Sequence, residues 1–165
     1  MFNKGDYVVY SNSGICRVED FVLMCLQNET KECYLLIPVN EPTAKIYLPK
    51  EYDGQRIRMA MNKEQALELL DKIEEIPEIS VANEKDREKI YKNLITTNDP
   101  YKMVSVLKTI SRRKKERELS GKKRTSVDDR YFKVVETQLY NELAQALQVN
   151  KEMLEQMLYN KQRIK

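Results

Sequence analysis

The residues best suited to chemistry in this sequence are the basic ones within residues 108–133. That segment carries eleven Lys and Arg against four Asp and Glu, a net charge of +7, although the whole chain of 165 residues has a net charge of only +3. Arg112-Arg113-Lys114-Lys115 is followed, after Ser120-Gly121, by Lys122-Lys123-Arg124. Clustered Lys and Arg side chains bind phosphate groups by displacing condensed counterions, without reading base sequence. The segment therefore indicates contact with nucleic acid.

Two other interpretations of the same residues stay open. Basic side chains are favoured near the C-terminal end of a helix, where they interact with the helix dipole, so the run would equally suit a solvated helix end. A basic surface also attracts acidic proteins and anionic membrane surfaces. Charge alone does not decide among these three interpretations.

Enzymatic chemistry has little support in this sequence. The chain contains no histidine, and its three cysteines, at positions 16, 25 and 33, have no CxxC spacing. A His-containing zinc site is therefore excluded, and so is catalysis by a Ser-His-Asp triad or a Cys-His pair. The four glycines form no phosphate-binding loop. We expect no metal, no cofactor and no enzymatic activity. The alternative, a hydrolase with paired carboxylates, would need a cleft of acids that the sequence does not indicate.

The spacing of the apolar residues predicts β-strands up to about Met59. Tyr7-Val8-Val9-Tyr10 and the alternating stretch from Ile15 to Leu26 are typical of strands, and residues 28–31 are predicted to be a polar hairpin loop. Further strands are expected over residues 33–39, 44–48 and 57–59. No stretch long enough for a helical crossover lies between them, so we expect antiparallel pairing in a small barrel or sandwich.

From Asn62 onward the apolar period becomes helical, and about five helices are expected. Their starts are predicted from cap-forming residues, namely Asn62, Asn83, Asp99, Ser126 and Asn150. Among the positions expected to face the helical core are Leu67, Leu70, Ile73, Ile90, Tyr91, Leu94, Met103, Val106, Leu107, Ile110, Phe132, Val135, Leu139, Leu143, Leu147, Met153, Leu154, Met157 and Leu158.

Together these patterns predict an α+β fold of two domains. Residues 1–60 form the antiparallel β-domain, and residues 61–165 form the all-α bundle. The sequence has no run of 18 apolar residues and no apolar stretch of signal-peptide length near its start. We therefore expect a cytoplasmic protein without membrane contact.

Several motifs in this chain resemble those of the CarD family of bacterial transcription regulators. The opening Phe2-Asn3-Lys4-Gly5-Asp6-Tyr7-Val8-Val9-Tyr10, with Gly14 four residues later, is similar to the family's F-x-x-G-D-x-V-V-Y…G motif. Ile46-Tyr47-Leu48-Pro49 is similar to the last long strand of the same domain, which also occurs in transcription-repair coupling factors. The resemblance extends to the family's helical module through Tyr91-Lys92-Asn93-Leu94, Arg112-Arg113…Glu116-Arg117-Glu118-Leu119-Ser120-Gly121 and Asn141-Glu142-Leu143-Ala144.

The resemblance implies that the N-terminal domain is a Tudor- or SH3-like barrel that binds the β subunit of RNA polymerase. Docking at a strand edge uses main-chain hydrogen bonds and therefore tolerates changes of side chain. The residues that correspond to the polymerase contact are Met24, Leu26, Lys45 and Tyr47.

The resemblance further implies that the helical domain contacts promoter DNA at the upstream edge of the transcription bubble and modulates the stability of the open complex. This contact would be to the minor groove and backbone, without sequence specificity, and we expect a monomeric protein. The residues predicted to contact DNA are Lys85, Asp86, Arg87, Lys89, Lys92, Arg112, Arg113, Lys122, Lys123 and Arg124.

This sequence departs from the family pattern at two positions. Relatives insert a tryptophan wedge beside the melted DNA, whereas this chain has no tryptophan and carries Asp86 at or near that position. Tyr47 stands where relatives have a polymerase-contacting arginine. An alternative function follows from the first departure, namely an adaptor that binds polymerase through the barrel and a second protein through the helices.

Overall fold

The computed structural model describes residues 1–11, 13–52 and 56–162, with side chains described as far as residue 160. The chain divides into two compact units, Met1–Ala60 and Met61–Lys165. The first unit is built from strands and the second from helices. The predicted two-domain α+β fold is therefore confirmed.

The first unit is one antiparallel sheet. Its strands are β1 (Tyr7–Tyr10), β2 (Gly14–Leu26), β3 (Glu29–Pro38), β4 (Ile46–Pro49) and β5 (Ile57–Met59), in the order β4-β3-β2-β1-β5. A 3₁₀ turn, Lys50–Tyr52, follows β4. The long β2 changes register with β3 between Val18 and Asp20. Such a bulge bends a strand and increases its twist.

One face of the sheet holds the core of this unit. Alternation along the strands places one set of apolar side chains on that face. The buried members are Phe2, Val8, Cys16, Val18, Tyr34, Leu36, Leu48 and Ile57. Burial raises the pKa of the Cys16 thiol to about 12, because the thiolate would lose its hydration.

The turn between β2 and β3 is tighter than the sequence predicted. Residues 28–31 were expected to form a loop, but β3 begins at Glu29 and leaves only Gln27 and Asn28 between the strands. Both turn residues have positive φ, 53° at Gln27 and 66° at Asn28. A two-residue hairpin with positive φ at both positions matches the right-handed twist of its strands, which explains why the ladder continues so far.

The second unit contains five α-helices. They are α1 (Lys63–Lys72), α2 (Arg87–Thr96), α3 (Pro100–Leu119), α4 (Ser126–Leu147) and α5 (Lys151–Gln162), and a short 3₁₀ turn, Glu84–Asp86, precedes α2. Over the described residues, no helix combines the length and the apolar character that crossing a membrane requires.

Most of the predicted helix caps explain where these helices begin; at α4 the cap is Thr125 rather than Ser126, because the Thr125 hydroxyl accepts from the backbone N–H of Asp128. Asn62 and Gln65 form a capping box, in which each side chain accepts from the other's backbone N–H. Asp99 accepts from the backbone N–H of Tyr101, and Asn150 accepts from that of Met153, as predicted. Asn83 starts the 3₁₀ turn rather than α2 itself.

The helical core follows the predicted faces with two differences. Leu67 and Met153 were expected to be buried, but both are exposed. The buried residues of α1 are Ala66, Leu69 and Leu70, continued by Ile73, so the inward stripe lies one position away from Leu67. Alanine has no strong apolar signal, which is why the sequence pattern favoured its neighbour.

Candidate nucleic-acid interface and polymerase-docking face

Three of the four side chains predicted to contact polymerase, those of Met24, Leu26 and Tyr47, share one face of the sheet, and Lys45 directly precedes the strand that carries Tyr47. The register aligns Val22 of β2 with Cys33 of β3, and Cys33 with Pro49 of β4. Side chains on a strand alternate between faces, so Met24 and Leu26 share the face of Val22. The same alternation places Tyr47 on the face of Pro49. The opposite face is the one that holds the core.

Exposure and strand order make this face accessible at one border of the sheet. Tyr47 and Lys45 are exposed, whereas Met24 and Leu26 are half-buried. The strand that carries Tyr47, β4, is the last strand in the sheet order, so among the described residues only β3 pairs with it. An outer strand of this kind offers unpaired main-chain groups to a partner. We call Met24, Leu26, Lys45 and Tyr47 the outer-face residues.

In the helical unit, a closed set of polar contacts joins three helices and the 3₁₀ turn. Its members, which we call the polar ring, are Glu84, Arg87, Tyr91, Arg113 and Asp128. Arg87 donates to both carboxylate oxygens of Glu84 at 2.5 and 3.0 Å and to the Tyr91 hydroxyl at 3.1 Å. The Tyr91 hydroxyl donates to Asp128 at 3.1 Å. Arg113 completes the ring, because it donates to Asp128 at 3.0 Å and to Glu84 at 3.0 and 3.2 Å.

Most of this polar ring is buried. Arg87 is only 7% exposed, and the Arg113 side chain is 12% exposed, whereas the Glu84 side chain is 66% exposed. The hydrogen bonds from Arg87, helped by the charges of both arginines, lower the pKa of Glu84 to about 2. Burial raises the pKa of Tyr91 above its ordinary value. At neutral pH Glu84 is therefore ionised and the Tyr91 hydroxyl keeps its proton.

The polar ring changes the interpretation of two residues predicted to contact DNA. Arg87 is buried, Arg113 is partly buried, and both are bonded to Glu84, so their guanidinium groups are not open to a phosphate in this arrangement. Their assignment to DNA binding stays a prediction, and one that burial alone does not favour. The ring does bring the start of α2 beside the basic half of α3, because both arginines contact the same carboxylate.

Two more cations of α3 have structural partners. The ammonium group of Lys108 donates to the carbonyl oxygens of Ile73, Glu74 and Ile76 at 2.9, 3.1 and 2.6 Å. These groups follow α1, whose last carbonyls need donors. Arg112 pairs with Glu78 and, at 2.6 Å, with Glu116. The net charge of the basic segment therefore overstates the number of free cations on its surface.

The turn after α3 brings the second basic cluster back to the end of that helix. Gly121 has a φ of 67°, a left-handed conformation that glycine adopts without steric cost. Arg117 donates to the backbone carbonyl of Lys123 at 2.6 Å, and Arg124 pairs with Glu118 at 3.2 Å. Lys122 and Lys123 therefore project from a turn that is fastened to α3.

Exposed lysines lie on the 3₁₀ turn, on α2, on α3 and on the turn after α3, and six of them are candidates for contact with phosphate. Spacings of four and three residues align Lys85, Lys89 and Lys92 along one side of the 3₁₀ turn and α2, whereas Arg87 and Tyr91 point inward. No ion pair involves the ammonium groups of these lysines within the described ranges. We call the set the lysine surface, and it consists of Lys85, Lys89, Lys92, Lys114, Lys122 and Lys123.

Asp86 is exposed at the start of α2, and its side chain makes no capping hydrogen bond there. An exposed carboxylate beside the lysine surface lowers the local positive potential. It also cannot fill an unstacked base step as an apolar wedge does.

Sequence reasoning missed the residues that hold the basic elements in place. Glu84 and Arg87 have a helical i,i+3 spacing that could have signalled their pairing. No sequence signal links Asp128 to Tyr91 or Lys108 to the end of α1, because these partners are more than thirty residues apart. Across the part of the chain that the structure describes, no group of three or more Cys, Asp or Glu side chains is arranged to hold a metal ion.

Comparison with known protein families covers both units. The CarD-like/TRCF RID domain matches residues 2–61. The CarD C-terminal domain matches residues 65–159. A search of curated proteins found no match to the chain. Two matches in this order, spanning the sheet and the helices, show that the chain belongs to the CarD family and is a transcription regulator that interacts with RNA polymerase.

Proposed function

We propose that the protein binds the β subunit of RNA polymerase through its sheet and contacts promoter DNA through its helices. The DNA contact lies near the upstream edge of the transcription bubble and modulates the stability of the open complex. The protein acts as a monomer. The observation that carries the DNA contact is the lysine surface, six exposed lysines on adjoining elements of one unit.

The chemistry of the lysine surface favours contact with the DNA backbone. A lysine ammonium group is a point charge that binds phosphate without selecting a base. Each phosphate neutralised releases condensed counterions, so binding would weaken steeply as salt rises. We therefore propose contact that depends on charge and on the geometry of the promoter complex rather than on sequence.

The outer-face residues support the polymerase contact. Tyr47 is an exposed aromatic residue on the outermost strand, and aromatic residues are enriched among the anchors of protein interfaces. Met24 and Leu26 extend the same face toward the tip of the hairpin, and Lys45 adds a positive charge beside Tyr47. A partner strand at the edge of β4 would make main-chain hydrogen bonds while its side chains meet this face.

The polymerase contact is tested by comparing two neighbouring substitutions on opposite faces of β2. Met24→Ser should weaken binding to a β-subunit fragment, because it removes apolar area from the outer face. Leu23→Ser is the matched control, since Leu23 is 73% exposed on the other face of the same strand. Equal binding by the two variants, measured by calorimetry, would refute the proposed face.

The DNA contact is tested by footprinting a polymerase–promoter complex with and without the protein. We expect new protection at the upstream edge of the bubble and a changed lifetime of the open complex. Replacing Lys85, Lys89 and Lys92 with Gln should remove that protection while binding to polymerase persists. A complex that contains the protein but shows an unchanged footprint would contradict the proposal.

A second candidate function is a polymerase-bound adaptor with little DNA contact. Asp86 at the wedge position favours it, and so do the ion pairs that occupy Arg87, Arg112 and Arg113. An adaptor would bind polymerase and leave both the footprint and the lifetime unchanged. The footprint therefore discriminates between the two functions.

A further inference from the structure

We propose that Arg87 and Arg113 form a two-arginine phosphate site, that the Glu84 carboxylate occupies it in the free protein, and that a nucleic-acid phosphate displaces this carboxylate on binding. The inference rests on the proposed DNA contact and names one of its phosphate sites. It assigns Glu84 the role of an internal competitor.

The Glu84 carboxylate is held as an oxyanion ligand would be. Arg87 donates to its two oxygens through Nη2 at 2.5 Å and Nε at 3.0 Å. Arg113 donates to the same two oxygens through Nη1 at 3.0 Å and Nη2 at 3.2 Å. Both contacts are therefore bidentate. The guanidinium fork fits the oxygens of phosphate in the same way as those of a carboxylate, so a phosphate could accept the same four donors.

The donors of this site are fixed, whereas its occupant lies at the surface. Arg87 also donates a hydrogen bond to the Tyr91 hydroxyl, and Arg113 also donates one to Asp128. These additional hydrogen bonds fix the orientation of both guanidinium groups. Glu84 belongs to a three-residue 3₁₀ turn outside α2, and two-thirds of its side chain is exposed. A rotation of the Glu84 side chain into water would open the site without moving a helix.

Charge balance allows the exchange. The two arginines, Glu84 and Asp128 together have no net charge. If Glu84 turns outward, the buried part of the ring carries one excess positive charge, which a phosphate diester restores to zero. Leaving that charge unpaired would be costly, so Glu84 keeps the site filled when DNA is absent. Because the pKa of Glu84 is lowered to about 2, a phosphate competes with an ionised carboxylate at neutral pH.

The site also lies where phosphates would be concentrated. Lys85 follows Glu84 in the chain, and Lys114 follows Arg113, and both lysines belong to the lysine surface. A DNA backbone attracted to these lysines would bring its phosphates to the entrance of the two-arginine site. The two lysines would attract the backbone first, and the guanidinium groups of Arg87 and Arg113 would then bind one of its phosphates.

The test uses the full chain with two single substitutions that remove the same charge. Glu84→Gln should open the site. Glu88→Gln is the matched control, since Glu88 is an exposed carboxylate on α2 that pairs with Arg130 rather than with the polar ring. Titration with inorganic pyrophosphate, followed by ¹⁵N NMR of the arginine Nε–H groups, should shift the Arg87 and Arg113 signals in the Glu84→Gln protein and not in the control.

Duplex DNA binding provides the second readout. At 0.1 M salt, one additional phosphate contact raises affinity by about eightfold and makes the salt slope steeper by about one. We expect this gain for Glu84→Gln, beyond any gain for Glu88→Gln. Equal gains would mean that only net charge matters, and absent arginine shifts would mean that the site does not open. Either result would overturn the inference.

Two further outcomes separate this inference from the proposed function. If the wild-type footprint is present but the two variants behave alike, only the two-arginine site is rejected. If pyrophosphate shifts the arginines but no variant binds DNA, the proposed DNA contact fails, and the assignment of the site to nucleic acid fails with it. Should Glu84→Gln fail to fold, Glu84→Asp, whose shorter carboxylate reaches the arginines less well, is expected to give the same arginine shifts at higher pyrophosphate.

Discussion

At the scale of single residues, Lys108 differs from the other cations of α3 because its ammonium group faces the end of another helix. It donates to three carbonyl oxygens of residues 73–76, which lie beyond the last residue of α1. The Ile73 carbonyl belongs to the C-cap of α1, at the negative end of the helix dipole, so a cation there is favourable. In sequence, Lys108 looks like the start of the basic run, yet its contacts stabilise the fold.

Replacing Lys108 with Met should therefore destabilise the helical unit and leave DNA binding nearly unchanged. The loss of charged hydrogen bonds to the end of α1 predicts a decrease of about 1–2 kcal/mol in the free energy of unfolding, measured with urea. Lys114→Met is the control, because Lys114 is exposed within the same helix. We expect the opposite behaviour from the control, namely normal stability and weaker DNA binding. Similar stability of the two variants would contradict the capping role.

Glu84 gives the protein a specific dependence of stability on pH. Its pKa is about 2 in the folded protein, below the ordinary value of 4.5, so the folded state binds its proton less readily than the unfolded state. The stabilisation from Glu84 is therefore complete above about pH 4.5 and is lost as the pH falls toward 2.

Glu84→Gln should accordingly flatten the decline in stability between pH 4.5 and 2. The measurement is urea unfolding of the wild type and the variant across that range. At neutral pH the variant should be the less stable of the two, and the difference should shrink in acid. A constant difference at all pH values would show that the Glu84 carboxylate is not held as the distances indicate.

At the scale of elements, the β2–β3 hairpin is held by a two-residue turn in which Asn28 suits a positive φ but Gln27 does not. Gln27 has a φ of 53°, which costs a residue with a side chain more than it costs glycine. Gln27→Gly should therefore stabilise the first unit by about 0.5 kcal/mol, once the greater chain entropy of glycine is subtracted. The same change at Glu29, the first residue of β3, should destabilise it. Thermal unfolding of both variants measures the difference, and a loss of stability in Gln27→Gly would refute the turn geometry.

Most elements could be predicted from local patterns, because their signals lie within a few residues. Asn62, Asp99 and Asn150 marked helix starts through side-chain caps, and those starts are confirmed. The hairpin turn was missed because Gln27-Asn28 lacks the glycine that usually signals positive φ. Leu67 was placed inward because its hydrophobicity exceeds that of Ala66, although Ala66 is the residue that packs.

The surface that the helices present could be predicted only in part. The charge of the basic segment is visible in the sequence, but the partners that neutralise it come from distant positions. Glu78 lies in the segment between α1 and the 3₁₀ turn, Glu84 lies in that turn and Asp128 lies on α4. Together they engage Arg87, Arg112 and Arg113. Which cations stay free is a property of tertiary packing. Lys114 was not among the residues predicted to contact DNA, and it belongs to the lysine surface because tertiary packing leaves it exposed.

At the scale of the whole molecule, two units of different chemistry are joined in one chain. A polymerase contact by the sheet would keep the helical unit at high effective concentration near the promoter. Weak phosphate contacts are then sufficient, since they need not capture DNA from free solution. Such a division of tasks would suit the lysine surface, because its ammonium groups bind phosphate without selecting a base.

The salt dependence of binding to polymerase–promoter complexes measures the contribution of the lysine surface. Changing Lys114, Lys122 and Lys123 together to Gln should reduce the salt slope by about two to three, if each contacts one phosphate. The control replaces three exposed lysines elsewhere in the helical unit, namely Lys63, Lys102 and Lys151. We expect the control to keep the wild-type slope. Equal slopes in both triple variants would remove the basic turn from the DNA contact.

The closed connectivity of the polar ring also constrains how this sequence can diverge. Each charged member of the ring has two partners within it. An acidic residue in place of Arg113 would repel the carboxylates of Glu84 and Asp128 and would remove the hydrogen bonds that Arg113 donates to them. Acceptable changes must therefore occur in compensating sets, such as simultaneous replacement of the acids and bases by apolar residues. Among descendants of this chain, we expect substitutions at the four charged positions of the polar ring to occur together. Substitutions of lysines in the lysine surface should occur independently of one another.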